Sequence, residues 1–114
     1  MRDYFQLQGY HVDTARTIEE AEKLIKDNKY AAVIQDLRIG GTAELDGLQM
    51  IELIRNSHPT AGIVVLTAYG SPEVESRARH VGADAFLRKP TPLSQIAQVV
   101  QGVIESPKRS LIKH

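Results

Sequence analysis

The chain has 114 residues, 42% of them apolar and 25% charged, which suits one soluble domain with a single core. Lys and Arg number 14, and Asp and Glu number 14, so no electrostatic reason points to nucleic acid or a membrane, and neutrality favours self-association. The lack of cysteine excludes disulfides, thiolate zinc sites and a cysteine nucleophile. No apolar run has the length of a membrane span, so a cytoplasmic protein is the default expectation.

Residues 1–8 read as the end of a helix closed by Gly9, too short to stand alone. Residues 10–13 alternate, with Val12 toward a core and His11 and Asp13 toward water, which predicts an edge strand. Thr17 reads as the N-cap of the next helix, with Glu20 completing a capping box. Its buried stripe is Ile18, Ala21, Leu24 and Ile25. The run Ala31-Ala32-Val33-Ile34-Gln35-Asp36 then predicts a strand buried on both faces that ends in a carboxylate. A long loop, 37–46, is punctuated by Gly40, Gly41 and Gly47. The following helix carries Leu48, Ile51 and Ile54, with Met50 and Leu53 widening the stripe, and ends before Pro59.

A second all-apolar strand, 62–67, ends in the Thr67 hydroxyl. Ser71 as N-cap and Pro72 at the first position open a helix whose apolar face, Val74, Ala78 and Val81, is thin. That helix is expected to be the loosest. A third strand, 84–89, ends in the Lys89 ammonium and Pro90. The last helix follows Pro92 and carries Leu93, Ile96, Val99, Val100 and Val103. Residues 1–105 read as the domain and 106–114 as a polar tail. Strands alternating with helices predict a parallel sheet of four strands with helices on both faces. In such sheets chemistry gathers at the C-terminal ends of the strands. Three strands here each deliver a polar group to that edge: Asp36, Thr67 and Lys89. His11, His58, His80 and His114 are too scattered to hold a metal. Gly40-Gly41 lacks the lysine of a phosphate-binding loop, and no hydrolase triad is visible.

The segments Asp36-Leu37-Arg38, Asp46-Gly47-Leu48, Leu66-Thr67-Ala68-Tyr69-Gly70, Gly82-Ala83-Asp84-Ala85-Phe86-Leu87 and Lys89-Pro90 resemble the receiver domain of bacterial two-component response regulators. The resemblance covers about 9–106. It implies a flavodoxin-like, doubly wound parallel sheet. It makes Asp36 the phosphoacceptor for a histidine kinase, with Thr67 and Lys89 contacting the phosphoryl oxygens. Ala68 would control access, Phe86 would be the aromatic switch, and the Lys89-Pro90 bond would be cis. The Arg38 carbonyl would be a Mg²⁺ ligand.

The sequence departs from the family in one large respect. The family's first strand and the acidic pair after it are not in these residues, and Asp3 is the only acid before His11. No metal site is then intact, since Asp36 and the Arg38 carbonyl alone remain. The reading is a truncated, receiver-like protein that needs no cofactor. It is not an enzyme, cannot bind Mg²⁺ or be phosphorylated normally, and acts through protein contact. A homodimer or a strand-donating partner would cover its exposed sheet edge. The alternative is a phosphorylatable receiver whose acidic Mg²⁺ site is completed in trans.

Overall fold

The run Gly62-Ile63-Val64-Val65-Leu66-Thr67 offers no polar side chain until its last residue, and it is buried from end to end. It is the middle strand of a parallel sheet. The computed structural model describes residues 2–15, 18–37, 42–68 and 71–104, with the backbone alone for 18, 36–37 and 42–46. In chain order the elements are α1 (Arg2–Leu7), α2 (Ile18–Asp27), β1 (Ala32–Leu37), α3 (Thr42–Ser57), β2 (Gly62–Thr67), α4 (Pro72–Val81), β3 (Ala85–Arg88) and α5 (Leu93–Ile104). The sheet order is β1-β2-β3, with both pairs parallel. Parallel neighbours need crossovers, and α3 and α4 supply them.

Alternation along β2 sorts the helices into two layers. Ile63 and Val65 face a core with Ile25 of α2, Ile51 and Ile54 of α3, and Ala78 of α4. Val64 and Leu66 face the opposite core, with Phe5 of α1 and Ile96 and Val100 of α5. The six-residue α1 has no stability of its own, so its anchor is Phe5, whose ring meets Tyr4 and Tyr10 edge-on at 5.8 and 5.6 Å. Gly9, at φ +96°, lets its own N–H and that of Tyr10 return to the carbonyls of Gln6 and Phe5. At the start of α4, Ser71 Oγ accepts from the Val74 N–H at 3.2 Å, with Pro72 in the first turn. Ala78 is its one fully buried residue, as the thin stripe predicts.

Four expectations are corrected. Among the described residues the sheet has three strands, not four: residues 10–13 form no strand. Their alternation is right, since Val12 packs into the α5-side core while His11 and Asp13 are exposed. A strand also needs a hydrogen-bonded neighbour, and this segment has no ladder with β1. Second, β1 is an edge strand, so its Ala32, Val33 and Ile34 are half-buried rather than buried on both faces. Third, α3 starts at Thr42, inside the stretch read as loop. Gly47 lies within the helix, buried, where a glycine is tolerated at a cost of about 1 kcal/mol. Leu53, read as part of the stripe, is 38% exposed. The Thr17 cap, Gly40, Gly41 and the 106–114 tail lie outside the described residues.

Residues 10–13 are tied down by a side chain instead of a ladder. Tyr30 donates its hydroxyl to Asp13 Oδ2 at 2.8 Å. Burial, then the hydrogen bond and charge of Asp13, push the Tyr30 phenol up to about 12. The phenol therefore stays protonated, and the link intact, across the neutral range. The Tyr30 ring also leans on His58, whose Nε2 meets the Asn28 carbonyl at 2.9 Å.

Candidate functional site

The parallel register lines up the three strand ends. Asp36 pairs with Leu66, Leu37 with Thr67, and Thr67 with Arg88. Lys89 follows directly, and its backbone N–H donates to the Thr67 carbonyl at 2.7 Å. Asp36, Thr67 and Lys89 thus occupy one edge of the sheet on three adjacent strands. At about 4.8 Å per strand, the backbones of Asp36 and Lys89 lie about 10 Å apart. An ammonium on a four-carbon stem and a phosphorylated carboxylate can span that gap together. The Asp36 side chain, Arg38 and Tyr69 lie outside the described residues.

Thr67 is the one polar residue among the buried described ones, 1% exposed. A buried hydroxyl at the end of an otherwise apolar strand is costly unless it is hydrogen-bonded. Ala68 is exposed at the bend that follows, and Lys89 is exposed. The Lys89-Pro90 peptide bond is cis. Phe86 is buried, packed in the α3–α4 layer and paired in register with Val65. Thr67 follows Val65 by two positions and so shares that face of the sheet with Phe86.

One pair that positions this edge has no signal in the sequence pattern. Arg55, in the last turn of α3, donates from Nη1 to the carbonyls of Pro59 and Ala61 at 2.9 and 2.8 Å. From Nη2 it reaches the Gly82 carbonyl at 2.7 Å and Asp84 Oδ2 at 2.8 Å. Asp84 Oδ2 also accepts from the Ile63 N–H at 2.9 Å. This cluster pins the start of β3 to the start of β2 and so sets the register that delivers Lys89. Neither residue belongs to an apolar period. Arg55 reads as an ordinary helix-end cation and Asp84 as a strand-edge acid.

In chemical terms the edge offers a carboxylate position, a hydroxyl and a cation. Phosphoryl transfer to a carboxylate needs those groups, together with further positive charge on the equatorial oxygens.

Comparisons with known proteins agree with this geometry. The family described as Response regulator receiver domain matches residues 1–101. The transcriptional regulatory protein GlrR of Escherichia coli K12 is 32% identical over 98 residues, covering 86% of this chain and 21% of that protein. A response regulator from Burkholderia pseudomallei, solved with a phosphorylated aspartic acid, a calcium ion and citrate, has a TM-score of 0.78 at 30% identity, over 95% of this chain and 59% of its own. The beryllofluoride-activated NtrC4 receiver domain dimer also has a TM-score of 0.78 at 30% identity, over 90% of this chain and 83% of its own. The chain spans about a fifth of the length of curated relatives such as GlrR. Among the described residues no helix is long and apolar enough to cross a membrane.

Proposed function

The chain belongs to the response regulator receiver domain family, and from that premise we propose that it is a two-component signalling module that works by protein contact, with self-association as its main mode. The observation that carries this reading is β1. Among the described residues it is an edge strand whose Ala32, Val33 and Ile34 are half-buried, and its sequence holds no lysine or proline to guard it. Such an edge is a template for pairing with another chain. A net charge of zero removes long-range repulsion between copies. The relative named as a receiver domain dimer supports the same mode.

Family membership implies Mg²⁺ beside the phosphoacceptor. That ion wants an octahedral shell of oxygens. From this chain come Asp36 and the Arg38 carbonyl, the latter outside the described residues. The described residues hold no group of three acidic or histidine side chains. Asp3 is exposed in the first turn of α1. These residues do not fit a Mg²⁺ shell by themselves, so no step is assigned to the metal here. Were the missing acids supplied from another chain, a carboxylate oxygen of Asp36 would attack the phosphorus of a phosphohistidine donor as its P–N bond breaks and the imidazole leaves with that electron pair, while Thr67 donates to an equatorial oxygen and Lys89 neutralises charge.

A second reading has Asp36 phosphorylated by a histidine kinase, with the acids supplied by another chain. The phosphorylated aspartic acid and calcium ion of the Burkholderia relative favour it.

Sedimentation velocity across a concentration series tests the main reading. The expected result is a dimer that dissociates on dilution, and that a lysine in place of Val33 (Val33→Lys) weakens. A monomer at every concentration overturns it.

A further inference from the structure

The two sides of α4 have different neighbours. Glu75 and Arg79 reach toward β3, where Arg88 Nη2 meets Glu75 Oε1 and Arg79 Nη1 meets the Asp84 carbonyl, each at 3.4 Å. Ser76, Arg77, His80 and Val81 turn the other way, and face Leu48 and Glu52 of α3 across an open groove of about 380 Å³. α4 brings little to fill that space, since Ser76 is short and Ala78 is the one fully buried residue of the helix. The base of the groove is apolar, with Leu48 buried and Val81 half-buried. Gln49 also lines it, and Leu53, one turn further along α3, is 38% exposed. The two walls carry opposite charge: Glu52 is exposed on α3, and Arg77 is exposed on α4. They share the groove without pairing, and neither has an ion-pair or hydrogen-bond partner among the described residues.

We propose that the α3–α4 groove docks a short amphipathic helix of a partner protein. Its apolar stripe lies on Leu48 and Val81, an acidic flank meets Arg77, and a basic flank meets Glu52. The open mouth of the groove suits a helix laid along it better than a small molecule, whose sites enclose most of the ligand. A helix is about 10 Å across with its side chains, so its two flanks reach both walls at once. Leu48 to Leu53 and Ser76 to Val81 each span about 8 Å of helix, which two turns of a partner would cover. Opposite charges on the walls select the occupant. A helix with flanks of one sign always meets one wall of like charge, whereas a helix with one acidic and one basic flank is matched on both, and the match fixes the direction in which it lies. The proposal needs neither Asp36 nor the exposed edge of β1, so it stands whether or not the chain pairs through that edge.

The test uses three synthetic helical peptides with the same leucine stripe. One carries glutamates on one flank and lysines on the other, one carries glutamates on both, and one carries lysines on both. Each is titrated into the full chain and into Glu52→Lys and Arg77→Glu, with fluorescence anisotropy for affinity and amide chemical shifts for location. Both substitutions are at exposed positions, so the fold is expected to tolerate them. The parent chain is expected to bind the mixed peptide about fivefold more tightly than either of the others. Glu52→Lys should come to prefer the all-glutamate peptide, and Arg77→Glu the all-lysine one. Shift changes should centre on 48–53 and 76–81, and the preferences should fade with added salt. The proposal is overturned if no peptide binds at about 1 mM, if all three chains rank the peptides alike, or if the shift changes centre on β3 and α5. It is also overturned if either substitution changes the sedimentation of the chain without peptide, because a second copy then occupies the groove.

Discussion

Asp84→Ala is expected to destabilise the fold by about 3 kcal/mol, the cost of breaking a buried ion pair by removing one partner. The Asp84 side chain is 8% exposed and that of Arg55 22%. Removing the carboxylate leaves a mostly buried guanidinium without its counter-charge. It also leaves the Ile63 N–H, at the start of the central strand, without the side-chain oxygen it now donates to. Arg55 keeps its contacts to Pro59, Ala61 and Gly82, which places the expected loss at the lower end for such pairs. Urea unfolding measures it as a fall in midpoint at unchanged slope. A loss below about 1 kcal/mol would mean that the pair behaves like a surface salt bridge. Asp84→Asn, which retains an acceptor oxygen, is expected to lose less.

Gly82→Ala is expected to cost about 2–3 kcal/mol, for two reasons that act together. Gly82 adopts φ +131°, a conformation open to glycine and strained for any residue with a Cβ. A Cβ there would stand 3.0 Å from both Cβ and Cγ of Arg55 and 3.1 Å from its Nε. The substitution therefore strains the cap of α4 and pushes on the side chain that anchors Asp84. Gly9→Ala is the informative contrast. Gly9 also has a positive φ, +96°, but a Cβ at that position meets nothing within 4 Å. It should lose less, and the difference between the two isolates the contact with Arg55. In an Arg55→Ala background the cost of Gly82→Ala should shrink, because neighbouring sites couple. Chemical denaturation of the four variants measures both effects. Equal losses at Gly9 and Gly82 would contradict the role of Arg55.

What was legible in the sequence follows from periodicity and from end signals. The run 62–67 reads as a central strand and is one, and Ser71 with Pro72 opens α4, whereas the apolar run at 31–36 reads the same way and lies at the edge of the sheet. The three polar groups at the ends of apolar runs were visible because a strand that is otherwise apolar makes its terminal hydroxyl or ammonium conspicuous. Residues 10–13 misled for the opposite reason. Alternation describes which side chains face a core, and Val12 does face one. It says nothing about whether a neighbouring backbone is present to complete a ladder. The start of α3 was hidden by Gly47, a residue read as loop punctuation that sits inside a helix. Arg55 and Asp84 were invisible because their partners are backbone carbonyls and each other, brought together only by the fold. The contact of Glu75 with Arg88 has the same character, joining α4 to β3 over 13 residues.

The strand register and the Lys89 N–H to Thr67 carbonyl bond bring Asp36, Thr67 and Lys89 to one edge of the sheet. The oxygen ligands that a divalent cation requires are a separate matter, and the residues described do not bring them together. The most direct measurement is the intact mass of the 114-residue chain after incubation with Mg²⁺ and acetyl phosphate, beside Asp36→Ala treated in the same way. The account predicts that the chain and the Asp36→Ala variant both keep their starting mass. A phosphoryl adduct on the chain that disappears in Asp36→Ala would contradict it, and would mean that these residues complete a working phosphoacceptor site by themselves.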